Sequence, residues 1–179
     1  MDQQPVSLET VIGFLVATPL FDGLDADERA ELVEIMEVEH YAAGEEVFHE
    51  GDAGDSWYVI FEGRAEVEKD VASGHNKIAS LRAGSCFGEM AILDGHARSA
   101  TVRADGPLTT FRFRRARFNE LLEQGSLGAF KLVAAMARTL AQRQRQLTQH
   151  MSDLMETRAT PRSIRAQIGD VVDRSQISE

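Results

Sequence analysis

From Tyr41 to Ala83 the chain falls into short runs rich in β-branched and aromatic residues: EEVFHEG, SWYVIFEG, RAEVEKD and KIASLRA. Turn residues separate them at Gly44, Gly51 to Asp55, Gly63, Ser73-Gly74 and Gly84. Many short strands with regularly spaced turns predict a sandwich or a roll. Alternation in RAEVEKD sets Ala65, Val67 and Lys69 opposite Arg64, Glu66 and Glu68, the pattern of a half-exposed strand. Two later runs, SATVRAD and PLTTFRFRR, supply the last strands. Helical signals flank this region. Ser7 caps a short helix that Pro19 ends. Asp25 caps a second, ADERAELVEIMEVE, with Leu32, Ile35 and Met36 at helical spacing. The expected fold is mainly β with flanking helices, a β-roll of jelly-roll type. Its divisions are N-terminal helices over 1–38, the β-roll over 39–117, a hinge and long helix over 118–157, and a flexible tail over 158–179.

One stretch carries chemistry. Phe87 to Val102 reads FGEMAILDGHARSATV, a glycine-led turn, a carboxylate, a short apolar run, a loop and an arginine entering a strand. Backbone N–H groups freed by a glycine at the start of a short helix make a concave anion site. An arginine brought back to the same spot adds a fixed charge with forked donors, which suits a phosphate. Glu89 repels a phosphate, so it fits only as an acceptor for hydroxyls, as an acid does with ribose in dinucleotide sites. A phosphate and a ribose hydroxyl a few ångströms apart describe a nucleotide. The side chains of Met90, Ile92 and Leu93 read as core beneath the short helix.

Phe87-Gly88-Glu89-Met90-Ala91-Ile92-Leu93 followed by Arg98-Ser99-Ala100-Thr101-Val102 resembles the phosphate-binding cassette of cyclic nucleotide-binding domains. Pro19-Leu20-Phe21 with Leu24, Gly44, Gly51-Asp52, Tyr58-Val59-Ile60 with Gly63, and Gly84 extend the resemblance over residues 18–156. It implies that Glu89 binds the ribose 2′-hydroxyl and that Arg98 pairs with the cyclic phosphate. The implied ligand set is Phe87, Gly88, Glu89, Met90, Ala91, Arg98, Ser99 and Ala100, joined by Arg143 and Gln144. The last two match base-contacting positions in the catabolite activator type of the family. Ser99 resembles that type too but leaves cGMP open, and cAMP leads through the overall resemblance. Arg143 offers forked donors to guanine O6 and N7, so cGMP follows closely. A solvated arginine is the alternative reading of Arg143. The single Cys86 reads as a small buried filler and permits no internal disulfide, in keeping with a reducing cytoplasm.

The long helix runs from about Leu127 to Met155 and carries a heptad seam. Val133, Leu140, Leu147 and Leu154 fall at d, with Ala137, Gln144 and Met151 at a. The seam predicts a parallel homodimer through 127–155, and packing of one helix on its own barrel is the alternative. The net charge of −10 hides an asymmetry, since residues 1–110 hold 22 Asp and Glu against 7 Lys and Arg. An acidic body is a poor general surface for nucleic acid. Residues 111–165 hold 11 Lys and Arg against 4 Asp and Glu, but the segment after Glu156 shows no recognition-helix pattern, so no sequence-specific DNA binding is expected. A transcription regulator of the catabolite activator type with a missing or atypical DNA-binding element is the alternative function. No apolar run approaches a membrane span, and no membrane partner is expected. His40, His49, His75, His96 and His150 are scattered singly, which predicts no metal cofactor and no enzyme. A kinase regulatory subunit is disfavoured because the first 25 residues hold no Arg or Lys. The expectation is a cytoplasmic, non-catalytic receptor that relays occupancy to an effector protein not identified by the sequence.

Overall fold

A computed structural model of the chain describes residues 6–71 and 74–174. Two compact units divide it, Met1–Met136 and Ala137–Glu179. In the first, helix α1 (Leu8–Ala17) is capped by Ser7, whose hydroxyl accepts from the Thr10 N–H. A 3-10 turn at Pro19–Phe21 leads to α2 (Ala26–Glu34). Asp25 and Glu28 form a reciprocal cap there, each side chain accepting from the other's backbone N–H.

Eight strands follow among the described residues: β1 (Met36–Tyr41), β2 (Glu46–Phe48), β3 (Ser56–Glu62), β4 (Arg64–Val71), β5 (Gly74–Arg82), β6 (Cys86–Phe87), β7 (Thr101–Ala104) and β8 (Leu108–Arg114). They make two antiparallel four-stranded sheets, ordered β1-β8-β3-β6 and β2-β7-β4-β5. The expected β-roll with flanking helices is the architecture found. Helix α3 (Glu89–Asp94) sits between β6 and β7, and α4 (Arg115–Glu123) and α5 (Leu127–Arg174) close the chain.

The sheets trap one core between them and a second against the helices. β3 serves both, because alternate residues of a strand face opposite ways. Tyr58 and Ile60 enter the inter-sheet cluster with Phe87, Val102 and Leu108. Trp57 and Val59 join Leu15, Phe21, Leu32, Phe113, Phe118 and Leu132 on the helical side. A strand covered on both faces reads as a continuous apolar run, which is why SWYVIF shows no alternation. Trp57 stacks on its cross-strand partner Phe113 with ring centroids 4.1 Å apart.

Two boundaries differ from expectation. The second helix stops at Glu34, and Met36–Tyr41, whose first four residues the sequence pattern places in that helix, is a strand paired to β8 from Met36↔Phe113 to Tyr41↔Leu108. A short apolar run fits either period, and six residues of pairing decide it. Helix α5 continues as far as Arg174, so its backbone passes the expected end near Met155 and enters the segment read as a tail. Residues 175–179 of that segment lie outside the described residues.

Candidate functional site

The site is built on the turn between β6 and α3. Gly88 lies at φ +75, a left-handed conformation that glycine adopts without strain. Space demands glycine as well, since a Cβ there would stand 2.8 Å from Arg98 Nη1 and 3.3 Å from the Phe48 ring. Glu89 starts α3 with its side chain inward and is 2% exposed. The Cys86 thiol lies 4.0 Å from its carboxylate.

Arg98 arrives from the loop before β7, and its backbone is tied down. Its N–H donates to the Asp52 carbonyl at 2.8 Å, and its carbonyl accepts from Gly51 at 2.9 Å. The side chain is buried, 4% of the residue being exposed. Nη1 donates to the Gly88 carbonyl at 3.0 Å. The guanidinium carbon stands 4.1 Å from the centre of the Phe48 ring, within cation–π range. Its nearest carboxylate partner among the described residues is Asp55, 3.7 Å from Nη2 and beyond hydrogen-bond length. Nε has no hydrogen-bond partner there. Burial lowers the Arg98 pKa below the usual arginine value, while Tyr58 and Asp55 act against that shift. A buried cation left short of acceptors attracts an anion.

Beside this guanidinium lies a hollow of about 510 Å³, lined by Glu39, Tyr41, Phe48, Asp55, Tyr58 and Arg112 among others. Arg112 is well supplied with partners. It donates from Nε to Ser56 Oγ at 2.7 Å, from Nη1 to Glu39 at 2.7 Å and from Nη2 to Asp55 at 3.1 Å. The Tyr41 hydroxyl donates to Glu39, and burial raises the Tyr41 pKa well above its ordinary value. On another side Lys69 donates to the Ser99 carbonyl at 2.9 Å and to Glu50 at 2.5 Å, fastening β4 to the loop that holds Arg98.

The structure brings Gly88, Glu89 and Arg98 together, with Phe87 beneath them stacked on Tyr58 at 5.1 Å. Ala91 and Ala100 are buried, and Ser99 is exposed with its hydroxyl 3.8 Å from the Met90 sulfur. One expectation is overturned. Met90 and Leu93 are not core, being 45% and 37% exposed, and only Ile92 of that trio packs against the helical-side core. Ala91 takes the inward position instead, because Gly54 presses on it and leaves no room for a longer side chain. Arg143 and Gln144 lie on α5 in the second unit, Arg143 half-buried and Gln144 exposed. Sequence reading missed Phe48, Asp55, Lys69 and Arg112. Asp55 stood in a stretch read only as a turn, and the others carried no local signal. Among the described residues no group of three or more His, Cys, Asp or Glu side chains could hold a metal ion.

A family profile described as the cyclic nucleotide-binding domain matches residues 38–125. Over 107 residues, 60% of this chain, the sequence is 38% identical to the cAMP-dependent protein kinase regulatory subunit of Mycosarcoma maydis. The chain spans only a fifth to about a quarter of the curated relatives it matches, 20% of that one and 27% of the Blastocladiella emersonii subunit. The N-terminal domain of a transcriptional regulator from Streptomyces coelicolor is similar in structure, with a TM-score of 0.64 at 30% identity. That likeness covers 75% of this chain and 94% of the other. The regulatory domain of Toxoplasma gondii PKA, solved with cAMP, gives a TM-score of 0.63 at 26% identity over 73% of this chain and 49% of its own.

Proposed function

The chain belongs to the cyclic nucleotide-binding domain family, and from that premise we propose that it is a non-catalytic cyclic nucleotide receptor with Arg98 and Glu89 as its ligand-holding pair. The observation that carries this is the Arg98 guanidinium, buried, short of acceptors and held at the carbonyl of Gly88, one residue before Glu89. A cyclic phosphate supplies the missing acceptors, and Glu89 accepts from the ribose hydroxyl. The backbone of Phe87 to Ala91 and of Ser99-Ala100 frames the ligand.

cAMP is the favoured ligand. The curated relatives are named for it, and the Toxoplasma gondii regulatory domain holds it. cGMP stands second, because an arginine such as Arg143 has donors that match guanine O6 and N7. The receptor dimerises through α5 and relays occupancy to a partner protein by a population shift between two arrangements. A single buried thiol suits a reducing, cytoplasmic setting. Among the described residues no helix is long and apolar enough to cross a membrane.

A second reading concerns the partner. Relatives 33% to 38% identical are regulatory subunits of a protein kinase, which makes a kinase catalytic subunit a candidate effector. The matched region of 107 residues is too short to carry that assignment by itself. Co-purification with and without nucleotide distinguishes a kinase from another effector.

The receptor reading is tested by calorimetry of the full chain with cAMP and with cGMP. Arg98→Leu is expected to weaken binding by about 1.5–3 kcal/mol, roughly ten- to 150-fold. No heat and no thermal stabilisation with either nucleotide would remove the receptor reading. Unchanged affinity in Arg98→Leu would move the site elsewhere.

A further inference from the structure

Lys69 lies outside the expected ligand set, at the point where a strand ladder ends. β4 pairs with β7 from Ala65↔Ala104 to Glu68↔Thr101, and the pairing stops there. Beyond it a side chain takes over. The Lys69 ammonium donates to the Ser99 carbonyl at 2.9 Å and to Glu50 Oε1 at 2.5 Å. Glu50 is held from two more sides. Its other carboxylate oxygen accepts from the Asp70 N–H at 3.1 Å, and its own N–H donates to Thr101 Oγ1 at 2.9 Å. The hydrogen bonds from Lys69 and from the Asp70 N–H keep the Glu50 carboxyl below its ordinary pKa. The anchor of the lysine is therefore an ionised carboxylate at neutral pH.

This brace completes the fixing of the segment that carries Arg98. The Arg98 N–H and carbonyl are already tied to Asp52 and Gly51. Lys69 takes the next carbonyl along, that of Ser99. In a planar trans peptide the C=O and the following N–H point in opposite directions. Drawing the Ser99 carbonyl toward Lys69 therefore turns the Ala100 N–H away from the lysine. The ammonium also polarises that peptide, and a charge-assisted bond to its C=O makes its N–H a stronger donor. The side chains remain partly open to solvent, 45% for Lys69 and 23% for Glu50. An ion pair so exposed adds little to folding stability, so its effect is local.

Resting on the receptor reading above, we propose that Lys69 is a positioning residue for the ligand phosphate. Held by Glu50, it orders the Ser99-Ala100 peptide beside Arg98. The ordered N–H serves the sugar–phosphate ring that cAMP and cGMP share. Lys69 sets the affinity for that ring and has no part in the choice between the two bases.

The test is Lys69→Met in the full chain, with calorimetry of cAMP and of cGMP and thermal denaturation without ligand. The variant is expected to bind both nucleotides about tenfold more weakly, by the same factor. Its ligand-free melting temperature should stay within about a degree of that of the unaltered chain. Lys69→Arg, which keeps the charge and the donors, is expected to recover most of the lost affinity. Glu50→Gln weakens the anchor and should lower both affinities in the same direction. Unchanged affinity in Lys69→Met, unequal losses for the two nucleotides, or an arginine variant as weak as the methionine one overturns this inference. With the unaltered chain still binding, the receptor reading then stands. A ligand-free melting temperature that falls by several degrees along with affinity assigns the lysine to folding stability and overturns the inference as well. An unaltered chain that binds neither nucleotide overturns both.

Discussion

Gly54 shows how a single position can be constrained by space alone. A Cβ built there would lie 2.2 Å from the Ala91 Cβ, closer than two side-chain carbons approach. The contact presses the loop that carries Asp55 onto α3, whose Ala91 is 3% exposed. Gly54→Ala is expected to cost about 1–3 kcal/mol, as overpacking of a fixed contact does, and to lower the melting temperature by several degrees. Adding Ala91→Gly removes the clashing carbon and should recover part of the loss, offset by about 1 kcal/mol for glycine in a helix. A double variant no more stable than Gly54→Ala would show that the contact is not the cause. The same contact makes Ala91 the inward residue of α3 and leaves Met90 and Leu93 outside.

At the scale of elements, α2 and the start of α5 are joined through Glu28. Its carboxylate caps α2 by accepting from the Asp25 N–H at 2.9 Å, and it accepts from Lys131 Nζ at 2.7 and 2.8 Å. Gly128 allows the approach, because a Cβ there would stand 2.9 Å from the Glu28 Cβ. The acid side chain is 9% exposed and that of the lysine 36%, so the two partners are not equivalent. Lys131→Met leaves a buried carboxylate without its counter-ion and is expected to cost about 3 kcal/mol. Glu28→Gln keeps the acceptor for Asp25, removes the buried charge and should cost less. Thermal or denaturant unfolding of the two variants gives the order, and the reverse order would mean that capping outweighs the ion pair.

At the scale of the whole molecule, the question is what covers α5. In the second unit Leu147, Met151 and Leu154 are 59%, 57% and 53% exposed, on the heptad positions read from the sequence. Apolar side chains repeated at this spacing match a second helix of the same kind. Leu147→Lys with Leu154→Lys is expected to convert a dimer to a monomer, read by light scattering or sedimentation. The unaltered chain should also melt at a temperature that rises with protein concentration, as a dimer does. A monomer at every concentration would sink the coiled-coil proposal.

What near neighbours specify was readable along the chain. The caps at Ser7 and Asp25, the strand runs, the glycine turns and the Gly88-Glu89 start of α3 were legible because hydrogen bonds and periodicity within a few residues specify them. Gly88 was readable for the same reason, since its role is conformational. Tertiary structure alone decided where β1 begins, because pairing with β8, about seventy positions away, overrode a pattern that fits a helix equally well. It also decided that Phe48 underlies Arg98 and that Asp55 is shared with Arg112, 57 positions along the chain. The register of β3 against β8, with Ser56 opposite Arg114 and Tyr58 opposite Arg112, makes that meeting. A charge partner chosen by strand register leaves no mark in the residues on either side of it.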